Sequence, residues 1–311
     1  MRTKTITGTP IVRKKRSLGS EIRRNRNNYL FMAPYLLVFT LFTIVPVICA
    51  IGLSFTYFNV LEAPRFIGLD NYLNLFLNDD IFTIGVKNTF IFAAITGPIG
   101  YILCLLFAWL INELPPIPRA LMTLLCYAPS LAGGATYVWT VIFNNDAYGY
   151  VNSFLYKWDL ISAPIEWLTN SDYMMMVCII VILWMSLGTS FLTFIAGLQG
   201  VDKTLYEAAA VDGIRNRYQE FWYVTLPSIK PQLLFGAVMS ITGSFGVGDV
   251  ITALVGYHST DYAVHTMVHH MQDYGGLRFE MGYACAIASI LFGAMLLINM
   301  IVQKLLRKVG S

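Results

Sequence analysis

The chain has 311 residues, 56% of them hydrophobic and 13% charged. A soluble domain carries about 25% charged residues, so this composition excludes an ordinary soluble globule and indicates a membrane protein. Net charge is only +3, nucleic acid is not an expected partner, and the five cysteines (Cys49, Cys104, Cys126, Cys178, Cys285) fall in apolar runs without CxxC or Cys/His spacing, which argues against a disulfide framework or a zinc site.

Residues 1–28 are basic and polar. The apolar run behind them is too long for a signal-peptide core, so an uncleaved anchor with a basic cytosolic tail is expected over 1–28. A bilayer span takes about 20 mostly apolar residues. Six segments qualify: 29–58, 88–111, 120–143, 173–198, 232–255 and 281–305. With the N-terminus in the cytoplasm, 17 of the 21 Lys and Arg lie inside and four (Arg65, Lys87, Lys157, Arg278) lie outside. The positive-inside rule therefore puts both termini in the cytoplasm. The fold class that follows is an all-α integral membrane protein: six transmembrane helices over 29–311, with a cytoplasmic loop at about 199–231 between the fourth and fifth. Pro34, Pro46, Gly97-Pro98, Pro129, Gly133-Gly134 and the glycines at 236, 243, 246 and 248 interrupt the spans. These positions suit ordinary close helix packing, and equally a bundle that must bend or open.

The cytoplasmic loop contains LYEAAAVDGIRNRYQEFWYVTLPSIKP (205–231). Thr204 and Glu207 have capping-box spacing. The alanines at 208–210 favour a slender helix, and Gly213 after Asp212 suits a left-handed stop. A short amphipathic piece follows, with Tyr218, Phe221 and Trp222 apolar, until Pro227 and Pro231 break it. Such a narrow capped helix fits a groove on another protein, or lies on the headgroups.

Asp249 is an acid well inside a span, near Ser244 and Phe245. Intramembrane acids face a cavity or a partner, bond a neighbouring helix, or snorkel outward. Trp139, Trp184 and Phe191 offer stacking surfaces, or simply pack. His265, His269 and His270 lie on an outside segment; a metal would need a further ligand such as Asp261, and a polar surface that meets a partner is the simpler expectation. GSFGVGD (243–249) has no lysine, and the chain lacks a GxxxxGK[ST] loop, so it is not expected to hydrolyse nucleotide. A stand-alone secondary transporter of small polar solutes would want several intramembrane acids or histidines, and a membrane enzyme would want converging acid, base or metal residues.

Glu207-Ala208-Ala209, Gly213 and Val224-Thr225-Leu226-Pro227 before the penultimate span resemble the cytoplasmic signature of binding-protein-dependent ABC importer permeases. APYLLVFTLFTIVPVICAIGLSF (33–55), FIGLDNY (66–72), Asn88-Thr89, RALMTLLCYAP (119–129), FNNDAYGYVN (143–152) and FEMGYACAIASILF (279–292) are similar to the carbohydrate branch of that family. Two departures stand out. Ten residues separate Gly213 from Val224, and LVGYHSTDYAVHTMVHH replaces a glycine-rich turn after the fifth span. The resemblance implies half of a sugar pore in the cell (inner) membrane, paired with a second homologous permease, two ATPase subunits and an extracellular sugar-binding protein. It implies that Thr204, Glu207, Ala208, Ala209, Asp212 and Gly213 form a coupling helix that docks on the ATPase. ATP and Mg belong to that ATPase, and no cofactor is expected on this chain. Ser244, Phe245, Asp249, Trp139 and Trp184 are then candidates for the sugar pathway, since sugars are held by hydrogen bonds and aromatic stacking.

Overall fold

The computed structural model describes residues 26–306, and these are mostly helical. The basic tail expected over 1–28 lies outside them except for its last three residues, which are already helical; Arg307 and Lys308 also lie outside. The described residues divide into two compact units that part between Cys49 and Ala50.

The first unit holds most of α1 (Arg26–Leu53). Pro46 has no N–H for the preceding turn, and the helix there widens to a π register over Thr40–Ile44, with the Val45 N–H reaching the Thr40 carbonyl. Its apolar side chains stay exposed: Leu30, Phe31 and Phe42 are all more than 70% accessible. Among the described residues no side chain of this helix is buried, and an apolar helix of that kind needs lipid or another protein around it.

The second unit opens with a two-stranded hairpin, β1 (Thr56–Tyr57) against β2 (Arg65–Phe66), antiparallel with Thr56 opposite Phe66. After α2 (Asp70–Leu77) comes α3 (Asp80–Asn112), a rod of 33 residues. It begins eight residues before the expected span, because Asp79 caps it by accepting the Phe82 N–H at 2.9 Å. Next are α4 (Pro116–Leu131) and α5 (Thr136–Ile142), which meet at 86° where Gly133-Gly134 interrupts the chain. A short α6 (Tyr150–Lys157) leads to α7 (Ser171–Met185) and α8 (Thr189–Gln199). Then follow α9 (Lys203–Val211), α10 (Arg217–Ser228) and α11 (Lys230–Phe245), the last two meeting at 81°. The unit ends with α12 (Gly248–Val255), α13 (Met267–Gln272) and α14 (Met281–Leu306).

Among the described residues four helical stretches are long and apolar enough to cross a membrane: α1, α3, α7 with α8, and α14. The two bent pairs bring the number to six if each counts as one span. The expected fifth span over 232–255 is not continuous. It breaks at Gly246-Val247, where glycines at 243, 246 and 248 weaken the helix.

The interior is built around α3. Cys104, Ala108 and Ile111 meet Phe191, Phe194 and Ile195 of α8, while Ala93 joins Phe245 of α11 and Ile287 of α14. Gly236 lets α11 approach α8 closely, since a Cβ there would strike the Phe194 ring. Ser190 Oγ–H donates to the Gly236 carbonyl at 3.2 Å across this contact, and Ser240 Oγ–H to that of Gly97 at 2.8 Å.

Candidate functional site

Asp202 starts α9. Its side chain accepts the Thr204 N–H at 3.0 Å, and that bond holds the exposed carboxyl below its ordinary range. This corrects the expected capping box on Thr204 and Glu207: an aspartate two residues earlier takes the cap, and Thr204 falls inside the first turn. The other end closes with Gly213 at φ +96°. Ile214 N–H donates to the Ala209 carbonyl at 3.0 Å and Gly213 N–H to that of Ala210 at 3.3 Å, the paired bonds of a Schellman stop.

One face of α9 turns inward. Ala209 is 7% exposed, and Tyr206 shares a 3.0 Å hydrogen bond with Thr225 of α10. The opposite face presents Thr204, Glu207, Ala208, Asp212 and Gly213 to solvent. Ala209 thus seats the helix, while the other five expected residues are accessible. Val211 is 88% exposed beside them and was not singled out from the sequence. The only signal there was an apolar residue just before the Asp-Gly stop.

The hairpin after α9 is tied to the base of α3. Arg217 reaches Glu113 at 3.1 Å and Glu220 at 2.8 Å, and Phe221 stacks near Trp109 with centroids 4.8 Å apart. Asn216 caps α10 by accepting the Gln219 N–H at 2.8 Å. A polar recess of about 570 Å³ lies here, between Glu113, Arg119, Glu207 and Arg217.

A second cavity, about 410 Å³, sits where two helices come apart. Ser186 occupies the break between α7 and α8; Gly246 and Val247 form the break between α11 and α12. Thr96, Ser130, Ser186, Ser190, Ser240 and Thr242 bring hydroxyls to its wall, and no charged side chain lines it. In a membrane protein, non-helical backbone of this kind is tolerated where it lines a cavity or is buried in protein.

The structure does not bring Ser244, Phe245 and Asp249 together. Ser244 lines the cavity, its Oγ–H donating to the Ile241 carbonyl at 2.9 Å. Phe245 is 1% exposed and packs edge-on against Phe90 at 5.7 Å, so its ring faces the core. Asp249 stands beyond the helix break and is exposed. Trp139 and Trp184 meet edge to face at 5.4 Å, both half-buried, and the Trp139 indole N–H has no partner among the described residues. Phe191 is fully buried.

The three histidines are not the expected polar surface. His265, His269 and His270 are 3%, 1% and 2% exposed. Asp261 is exposed, and the acid that His270 bonds is Asp79, at the start of α3. No group of three metal-ligating side chains occurs among the described residues.

Residues 28–311 match the family model described as binding-protein-dependent transport system inner membrane component. The chain belongs to that family. Among its relatives is the probable ABC transporter permease protein YesP of Bacillus subtilis, 30% identical over 96% of each chain. The arabinooligosaccharides transport system permease protein AraP of the same organism is 31% identical, covering 89% of this chain and 87% of its own. In fold the permease is similar to a chain of a bacterial ABC transporter involved in the import of the acidic polysaccharide alginate, with TM-score 0.74, 23% identity, and 94% and 99% of the two chains covered.

Proposed function

We propose that this permease forms half of the pore of an ATP-driven importer for a sugar or oligosaccharide, delivered by an extracellular binding protein. In this reading it crosses the cell membrane six times, with both termini and α9 in the cytoplasm. It pairs with a second, homologous permease. Two ATPase subunits bind the ATP and Mg, and the accessible face of α9 (Thr204, Glu207, Ala208, Asp212 and Gly213, seated by Ala209) docks on one of them. The observation that carries this reading is how firmly α9 is fixed: it is capped at both ends and bonded through Tyr206 to α10, which Arg217 in turn ties to the end of α3. A helix so fixed transmits displacement, whereas a loose loop would absorb it.

The hydroxyl-walled cavity at the two helix breaks is the proposed cargo pathway, with Ser244 on its wall. Asp249, Trp139 and Trp184 are proposed to extend it toward the second permease, and the buried Phe245 to hold α11 in place. The relatives' sugar-transport names support the substrate class.

The test is co-purification with the ATPase, comparing the native chain with Gly213→Asp and Glu207→Lys. Loss of the ATPase from both variants, with membrane insertion intact, is the expected result. An ATPase that never associates with the native permease would overturn the coupling role.

A further inference from the structure

The stretch Gly256–Glu280 links α12 to α14 and is held to the start of α3. Asn88 donates its amide to the carbonyls of Tyr262, Ala263 and His265 at 3.1, 3.1 and 2.9 Å. Thr89 Oγ1 accepts the Met267 N–H at 2.9 Å. Beneath these bonds lie the three buried imidazoles. His270 Nε2–H and the Tyr283 hydroxyl both donate to Asp79 Oδ2 at 2.9 Å. His270 Nδ1 is 3.3 Å from His265 Nε2, and His265 Nδ1 is buried with no partner.

His269 closes a capping box on α13. Its Nδ1 accepts the Thr266 N–H at 3.2 Å and lies 2.8 Å from the Thr266 hydroxyl, while Nε2 faces Thr252 Oγ1 of α12 at 3.1 Å. That cap requires a lone pair on Nδ1. An imidazolium carries protons on both nitrogens and cannot accept the Thr266 N–H.

The charged surroundings compensate only in part: Asp79 favours the protonated form of His265, and Asp249 and the Gly248 backbone that of His269, but burial outweighs them. From α3 comes Asp79, already accepting three hydrogen bonds. From α12 comes Asp249, exposed; from the linking loop His258, Tyr257 and Tyr262. Tyr257 donates its hydroxyl to the His269 carbonyl at 3.1 Å. Behind α13 lie Tyr274, Glu280 and Asp273, the last paired with Arg278 at 2.7 Å; α14 contributes Tyr283. Among the described residues no carboxylate bonds His265 or His269.

We propose that the neutral imidazoles of His265 and His269 make Gly256–Glu280 an acid-releasable latch on the face of the permease from which cargo enters. The latch sits at the Asp80 end of α3, and Arg217 binds at the Glu113 end, so it lies at the opposite end of this 33-residue rod from α9. The inference rests on the importer reading for its orientation and adds regulation to it. Burial pushes His269 down to about 4 and, with the neighbouring imidazoles, His265 down to about 3, from an ordinary 6.5. Both groups are thus neutral when latched. Their stabilisation is complete above pH 6.5 and is lost as pH falls toward 4 for His269 and toward 3 for His265.

Hydrogen–deuterium exchange on the full permease in nanodiscs, corrected for intrinsic exchange rates, tests the latch without ATPase or cargo, so it fails or succeeds independently of the importer reading. In the native chain, protection of amides 256–280 at pH 5 is expected to fall by at least ~30-fold relative to pH 7.5, the factor that follows from the His269 shift alone. His269→Gln supplies an uncharged acceptor at the same capping position and is expected to keep ~30-fold more protection than the native chain at pH 5. His269→Glu serves the same comparison should the glutamine variant fail to insert. His269→Ala removes the acceptor and is expected to lose protection already at pH 7.5. Equal native protection at both pH values, or acceptor variants that lose as much as the native chain, overturns the proposal.

Discussion

Gly213 sits at φ +96°, backbone space that a side chain occupies only with strain. A Gly213→Val change is expected to cost about 1–2 kcal/mol locally, opening the Schellman stop and loosening the end of α9. The readout is reduced ATPase retention with unchanged membrane content. Asn88 makes a different prediction. Its amide serves three carbonyls, so Asn88→Ala leaves acceptors unsatisfied at a cost of about 1–3 kcal/mol. Asn88→Asp is expected to be worse in thermal unfolding, because a carboxylate adds acceptors where only donors serve. The Asp-Gly pair disclosed the stop at 213 directly, through the conformational freedom of glycine. The role of Asn88 was hidden, since its partners lie more than 170 residues away. The cap on α9 was misplaced because Thr204 and Asp202 are both good caps, and only backbone geometry chooses between them.

At the scale of elements, α8 and α11 touch through Gly236. Gly236→Leu overfills that contact and is expected to destabilise the permease by about 1–3 kcal/mol, measured as a lowered unfolding midpoint in detergent. Arg217→Ala should change the same midpoint by about 1 kcal/mol or less, because its ion pairs are exposed. Hydropathy located the apolar stretches well, since the bilayer sets both their length and their composition. It did not reveal where they bend. The fifth stretch reads as continuous in composition but parts at Gly246-Val247, and α3 extends past its apolar core because Asp79 caps it further out. The histidine cluster read as surface because three polar side chains in a loop look solvated; its burial depends on Asp79 and Tyr283, which sequence spacing does not bring near.

For the whole molecule, pH acts in two windows. As pH falls from 6.5 the neutral His269 and His265 lose their contribution, the first by about 4 and the second by about 3. The Asp79 window overlaps the lower end of this one: burial alone would raise its carboxyl, but the His270, Phe82 and Tyr283 hydrogen bonds hold it at about 2, against an ordinary 3.8. Its stabilisation is present above pH 3.8 and is lost as pH falls toward 2. A thermal unfolding series should show both, with Asp79→Asn removing the lower one and moving the His265 loss to still lower pH, since the Asp79 charge favours the His265 imidazolium. The uncharged cavity makes a further prediction for cargo. Without a cation on its wall to meet a carboxylate, the pathway on this subunit should favour neutral over uronate saccharides, as competition uptake would reveal.

The 81° angle between α10 and α11 completes the mechanical picture. α10 carries the Tyr206 bond to α9, and α11 runs from the corner up to the cavity wall. If α9 is pulled as proposed, such a corner would act as a bell crank: a sideways tug on its short arm would become a lengthwise slide of its long one. The hydroxyls of Ser240, Thr242 and Ser244 ride on the long arm. A shift of a single turn there would exchange the groups facing the proposed pathway.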